Sequence, residues 1–166
     1  VIEDKFKAVI NPSDAIIEKT PIVIFDLEST GLNIRYDKIT EIGAVKIENF
    51  KVVDRFSQLI NPQKDISYKV QELTGITNDL IKDKPTIEEV LPKFIEFIGD
   101  SVMVAHNADF DMGFMQQKCR EQNIERINTS MLTCTLARTL LPHMRIFRLK
   151  LIAKELVVPL LYHHRA

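Results

Sequence analysis

Asp26 and Glu28 stand one residue apart at the end of an apolar run, in the stretch IVIFDLESTG over residues 22–31. A strand alternates its side chains, so both carboxylates face one side, about 7 Å apart along it, while Leu27 points the other way. Two ionised carboxylates that close repel each other, and partial burial raises the cost. The pair is tolerable at an exposed strand end, or around a hard divalent cation such as Mg2+, which takes oxygen ligands. A solvated strand end, with Ser29-Thr30-Gly31 as a plain turn, accounts for these residues equally well, because short acidic motifs also arise by chance.

A second polar cluster follows another apolar run in VMVAHNADFDMGFM, residues 102–115: His106, Asn107, Asp109 and Asp111. Asp109 is a candidate cap for the following helix, and Asp111 suits its first turn, where the helix dipole favours negative charge. Capping explains one aspartate but not the whole set, and open α/β sheets place their sites at strand carboxyl ends. The chain closes on HHRA, whose His163 and His164 by themselves read best as a solvated polar tail.

Positioning these residues requires strands that end side by side. Strands are predicted at 22–27, 39–48 and 51–60, with a hairpin turn near Asn49 joining the last two. The unbroken run Ile22–Phe25 predicts a strand buried on both faces. Ser67 to Gly75 reads as a short helix. In TIEEVLPKFIEFIG, apolar residues at 87, 90, 91, 94, 95 and 98 form a helical stripe. Thr86 and Glu89 make its capping box and Gly99 ends it. SVMVA is a short buried strand, and helices follow at about 109–122, 133–141 and 149–156. Residues 1–20 show no period and read as a loosely attached lead-in with at most a short strand; the domain proper spans 21–166. A strand meander followed by alternating strand and helices gives a mixed sheet flanked by helices, an α/β fold.

At 166 residues the chain is long enough for one domain with a sizeable core. A net charge of −1 offers no support for wide, sequence-independent wrapping of nucleic acid. It leaves room for an enzyme that holds a few nucleotides through metals and backbone groups. No apolar run approaches a membrane span, and the start lacks the order of a signal peptide. Cys119 and Cys134 are too few for a disulfide framework or a zinc cluster, so both read as small buried hydrophobes in a reducing, cytoplasmic setting. The missing initiator Met points to a piece of a larger protein.

Taken together and in order, FDLESTG, VAHNADFD and HHRA resemble the three motifs of the DnaQ-like, DEDDh family of 3′→5′ exonucleases. YDKITEIGAVKI, LTGIT and TLARTLLP between them also look like that family. The likeness runs from about residue 21 to the C-terminus and is strongest to the proofreading exonuclease domain of PolC-type replicative DNA polymerase III.

The resemblance implies a ribonuclease H-like fold, with a central mixed five-stranded sheet whose first three strands form an antiparallel meander. It implies that Asp26, Glu28 and Asp111 are catalytic and ligate two Mg2+ or Mn2+ ions. Asp109 falls on a variable position of the motif. His164 matches the general base, because Arg165-Ala166 follows it. Ser29, Thr30 and Gly31, Leu73, Thr74 and Gly75, and His106 and Asn107 are expected to hold the substrate. The family's fourth carboxylate is expected five residues after His164, on a C-terminal helix that this chain lacks. Leu132-Thr133-Cys134 departs from the family's common Asp-Thr-Leu.

The implied reaction releases nucleoside 5′-monophosphates from a single-stranded or mispaired DNA 3′ end, beside polymerase domains of the same or a partner chain and away from membranes. An exoribonuclease, a helicase-associated exonuclease and a catalytically silent domain that grips nucleic acid or a partner are the alternatives. The intact Asp26, Glu28, Asp111 and His164 argue against silence; the absent fourth carboxylate argues for it.

Overall fold

The structure, a computed structural model, describes residues 7–9, 19–106, 108–124, 126–128 and 130–159. In chain order the elements are β1 (Lys7–Val9), β2 (Ile22–Ser29), β3 (Ile39–Glu48), β4 (Lys51–Leu59), α1 (Tyr68–Thr74), α2 (Asn78–Ile81), α3 (Ile87–Ile98), β5 (Val102–Ala105), α4 (Ala108–Glu121), β6 (Arg126–Asn128), β7 (Ser130–Leu132), α5 (Thr133–Leu140) and α6 (Leu149–Glu155). β4-β3-β2-β5-β7 form the expected five-stranded mixed sheet. β2, β3 and β4 are the antiparallel meander, and β5 and β7 add in parallel. β1, the short strand of the lead-in, pairs in parallel with β6.

The core lies on one face of the sheet. Phe25, Ala44 and Phe56 stand in one row across β2, β3 and β4. The small central residue leaves a dip, and Phe94 of α3 fills it, with ring centroids 6.2 Å from Phe25 and 5.1 Å from Phe56. Val90, Leu91 and Ile98 of α3 and Met112, Phe114 and Met115 of α4 complete the packing. At the start of α3 the Thr86 amide donates to the Glu89 carboxylate at 2.8 Å, the predicted capping box. Among the described residues no helix is long and apolar enough to cross a membrane.

The apolar run of β2 is not buried on both faces. Val23, Phe25 and Leu27 are buried, but Ile24 is 43% exposed and Asp26 is exposed. Helices α3 and α4 cover the core side, whereas the other side of β2 opens onto a cleft. An apolar run reports burial only if a layer is present to cover each face. α2, β6 and β7 were not read from the sequence; at three or four residues each they are too short for a periodic signal.

Candidate active site

β2 and β5 pair in parallel only from Ile22–Val102 to Ile24–Val104. Beyond that the two strands part, and the chain after β5 turns into α4. The Leu27 amide lies past the last paired residue and donates to Asp111 Oδ1 at 3.2 Å. This bond holds the first turn of α4 against the strand that carries Asp26 and Glu28. Asp111 is only 2% exposed. Burial and then the neighbouring Asp26 charge push its carboxyl up to about 7, against the pull of the Leu27 amide.

Across the sheet from Asp26 stand Gly43 and Ser57, and next to that row stand Ile24, Val45 and Arg55. These residues, with His106, Thr133 and Leu149, line a cleft of about 420 Å³. The small Gly43 and Ser57 keep the space beside the Asp26 carboxylate open. β5 and β7 end in register at Ala105 and Leu132, so the residues that follow, His106 and Thr133, emerge side by side. His106 Nδ1 and Thr133 Oγ1 share a hydrogen bond of 2.9 Å. Thr133 was not singled out in the sequence as a site residue; only the parallel register brings it there.

A β-bulge follows Glu28, which pairs with Glu41, whereas Ser29 pairs with Ile39. The bulge ends the strand and sends the chain into the turn Ser29-Thr30-Gly31. Glu41, also missed, is 3% exposed and sits across from Glu28. Its signal was there to read, a lone carboxylate inside the apolar stretch ITEIGAV.

Glu41 pairs in turn with Leu59, and Leu59 packs on the small core of Ile66, Ile76 and Ile81. That core carries α1 and with it Leu73-Thr74-Gly75. The helix that bears the second expected substrate segment is therefore anchored at the Leu59 end of the row that Glu28 begins. Leu73 is 57% exposed, Thr74 is buried, and Gly75 closes the helix at φ 71°, a left-handed geometry that favours glycine.

Asp109 lies in the first turn of α4, exposed, and not at its cap. Cys119 is buried, as expected, while Cys134 is half-buried. Burial pushes the Cys119 thiol up to about 11, so it carries no nucleophilic role. Asn107, His163 and His164 lie outside the described residues. Among the described residues, no three Asp, Glu, His or Cys side chains are gathered closely enough to hold a metal ion as they stand. The fold does bring the Asp26 charge to bear on Asp111.

A family model described as an exonuclease, RNase T, matches residues 23–166. The chain belongs to the RNase T exonuclease family. Curated relatives include the PolC-type DNA polymerase III of Clostridium perfringens, 48% identical over 144 residues, covering 87% of this chain and 10% of the relative. That of Caldanaerobacter subterraneus is 44% identical over the whole chain and 12% of its own length. This exonuclease domain thus spans about a tenth of the length of the curated relatives it matches. Among solved structures, exonuclease X in complex with 5′-overhanging duplex DNA superposes with a TM-score of 0.67 at 29% identity, over 87% of this chain and 81% of that one. A zinc-bound complex of Escherichia coli exonuclease I with single-stranded DNA gives a TM-score of 0.75 at 14% identity, over 88% and 37%. That second likeness shows the shared ribonuclease H-like fold.

Proposed function

We propose that this domain is a divalent-metal-dependent 3′→5′ exonuclease that releases nucleoside 5′-monophosphates from single-stranded or frayed DNA ends, proofreading in the cytoplasm for a PolC-type DNA polymerase III. One observation carries the reading. Asp111 is fastened to the backbone of the strand bearing Asp26 and Glu28, and its carboxyl feels the Asp26 charge. A cation relieves that repulsion, and hard carboxylate oxygens suit Mg2+ or Mn2+.

Asp26, Glu28 and Asp111 would hold the metal. When bound, two such cations neutralise the phosphodiester, generate a nucleophile from water and stabilise the leaving 3′-oxygen. The chain's own residues do the rest. The Leu27–Asp111 bond sets the angle of one carboxylate. Neutral His164 takes a proton on a ring nitrogen as general base. The Ser29–Gly31 turn and the Leu73–Gly75 segment hold the terminal nucleotide. Mispaired ends are selected because unpairing costs them less.

The test is a single-stranded DNA oligonucleotide labelled at its 5′ end. A ladder that shortens stepwise, with monophosphates as product, is expected. Internal cuts in a circular single strand would overturn the exonuclease reading, and faster trimming of RNA would replace DNA as the substrate.

A further inference from the structure

The loop between β2 and β3 is organised around one side chain. Asp37 accepts three hydrogen bonds: from Thr30 Oγ1 at 3.0 Å, from the Asn33 amide at 2.9 Å and from Lys64 Nζ at 3.0 Å. Gly31 lies directly against this carboxylate, since a Cβ there would stand 2.5 Å from Asp37 Oδ2. The Thr30 amide donates to the Lys38 carbonyl at 2.9 Å, and Thr30 Oγ1 accepts from the Lys38 amide at 3.1 Å. Both donors of Thr30 are therefore spent inside the loop, and Thr30 braces the turn. Burial pushes the Asp37 carboxyl up, but the Asn33 amide, Lys64 and Thr30 outweigh it and hold the group below its ordinary range.

Lys64 adds a second link. Its ammonium also donates to the Tyr36 carbonyl at 3.2 Å. Lys64 lies three residues before Ser67, the N-cap of α1, which carries Leu73-Thr74-Gly75. The ion pair therefore ties the turn after β2 to the stem of the second substrate segment. An isolated pair at this exposure contributes little. Here the same carboxylate also takes an amide and a hydroxyl, and such networks hold geometry better than single pairs do.

From this arrangement we infer that Asp37 and Lys64 are positioning residues for nucleotide binding, a clamp that fixes the spacing between the Ser29–Gly31 turn and the Leu73–Gly75 segment. The inference rests on the proposed reading that those two segments hold the terminal nucleotide. The clamp touches neither the carboxylate centre nor the reacting atoms, so its loss weakens binding and leaves chemistry in place.

The test uses the natural full-length protein with Mn2+, as wild type and as the Asp37→Ala, Lys64→Met, Lys64→Arg and double Asp37→Ala/Lys64→Met variants. Three readings are taken: kcat and KM on a single-stranded oligonucleotide, the dissociation constant of dTMP by calorimetry, and hydrolysis of bis(p-nitrophenyl) phosphate, which carries no nucleoside. Asp37→Ala should raise KM and the dTMP constant about tenfold, as expected for a lost charge-assisted hydrogen bond, with ester hydrolysis unchanged. Lys64→Met should give a smaller rise that Lys64→Arg restores, and the double variant should be no worse than Asp37→Ala. Unchanged dTMP affinity in Asp37→Ala and Lys64→Met of an active enzyme would overturn the clamp alone, as would an equal loss of turnover, dTMP affinity and ester hydrolysis. A wild-type protein that trims DNA but binds no dTMP would overturn the clamp and the nucleotide assignment together. A wild type that trims no DNA but binds dTMP in a clamp-dependent way would sink the proposed reaction and leave the clamp standing.

Discussion

The Leu27 amide donates to Asp111 Oδ1 across 84 residues of sequence, at 3.2 Å and in a buried position. The bond forms where β5 leaves β2, so a backbone donor freed by the divergence of two parallel strands becomes the anchor of a carboxylate. It joins the first and second acidic motifs into one centre.

This burial makes the metal-free fold sensitive to pH. The Asp111 carboxyl is raised from 3.8 to about 7, so between those values the folded chain holds a proton that the unfolded chain has lost. The stabilising contribution is full below about pH 4 and is lost as pH rises through about 7, a change on the order of 4 kcal/mol. Denaturation in EDTA should show wild type weakening over that window. Asp111→Asn keeps an acceptor for the Leu27 amide and should flatten the profile, leaving the variant more stable than wild type at pH 8. Parallel profiles for the two proteins would refute the assignment.

Saturating Mn2+ should reverse the sign. The cation favours the ionised carboxylates, so the rise in Tm that it produces should grow from pH 6 to pH 8 and shrink in Asp111→Asn. A rise that is independent of pH would place the bound metal elsewhere.

Asp26→Ala and Glu28→Ala should each cut nucleotide release by roughly 10³-fold or more while Tm stays within a few degrees of wild type. Neither side chain belongs to the apolar core. Titration calorimetry with Mn2+ provides the check, since unchanged metal affinity in both variants contradicts their role as ligands.

His164→Ala should lower kcat at saturating metal and leave metal affinity nearly intact. The acidic limb of the rate–pH profile should vanish with it. Equal loss from His163→Ala, with none from His164→Ala, would shift the assignment by one residue.

Phe94→Ala separates stability from chemistry. Phe94 is fully buried between Phe25, Phe56 and Phe97, so truncation should cost about 3–5 kcal/mol. Turnover per folded molecule, measured well below the lowered Tm, should hardly change.

Much of this domain is legible along the chain. Strand alternation alone places Asp26 and Glu28 on one face, and the structure keeps them there, with Val23, Phe25 and Leu27 buried behind them. The 3.6-residue stripe and capping box define α3, and glycine marks the end of both α1 and α3. These are local properties, decided by backbone geometry and by neighbours within one turn or one pleat. The order of the three motifs likewise resembles the exonuclease family without any knowledge of contacts.

What the chain could not disclose is long-range. Whether the Ile24 face of β2 is covered depends on which layers pack there, and that face is an open cleft. Thr133 reaches His106 only because β5 and β7 end in register, and Glu41 reaches Glu28 only across the hairpin ladder. Asp37, which reads as an ordinary loop aspartate, becomes a three-donor acceptor once Lys64 arrives from beyond β4. The near-neutral Asp111 carboxyl is the clearest case. Its proton affinity comes from burial and from Asp26, which lies 85 positions earlier in the chain; only folding brings them together.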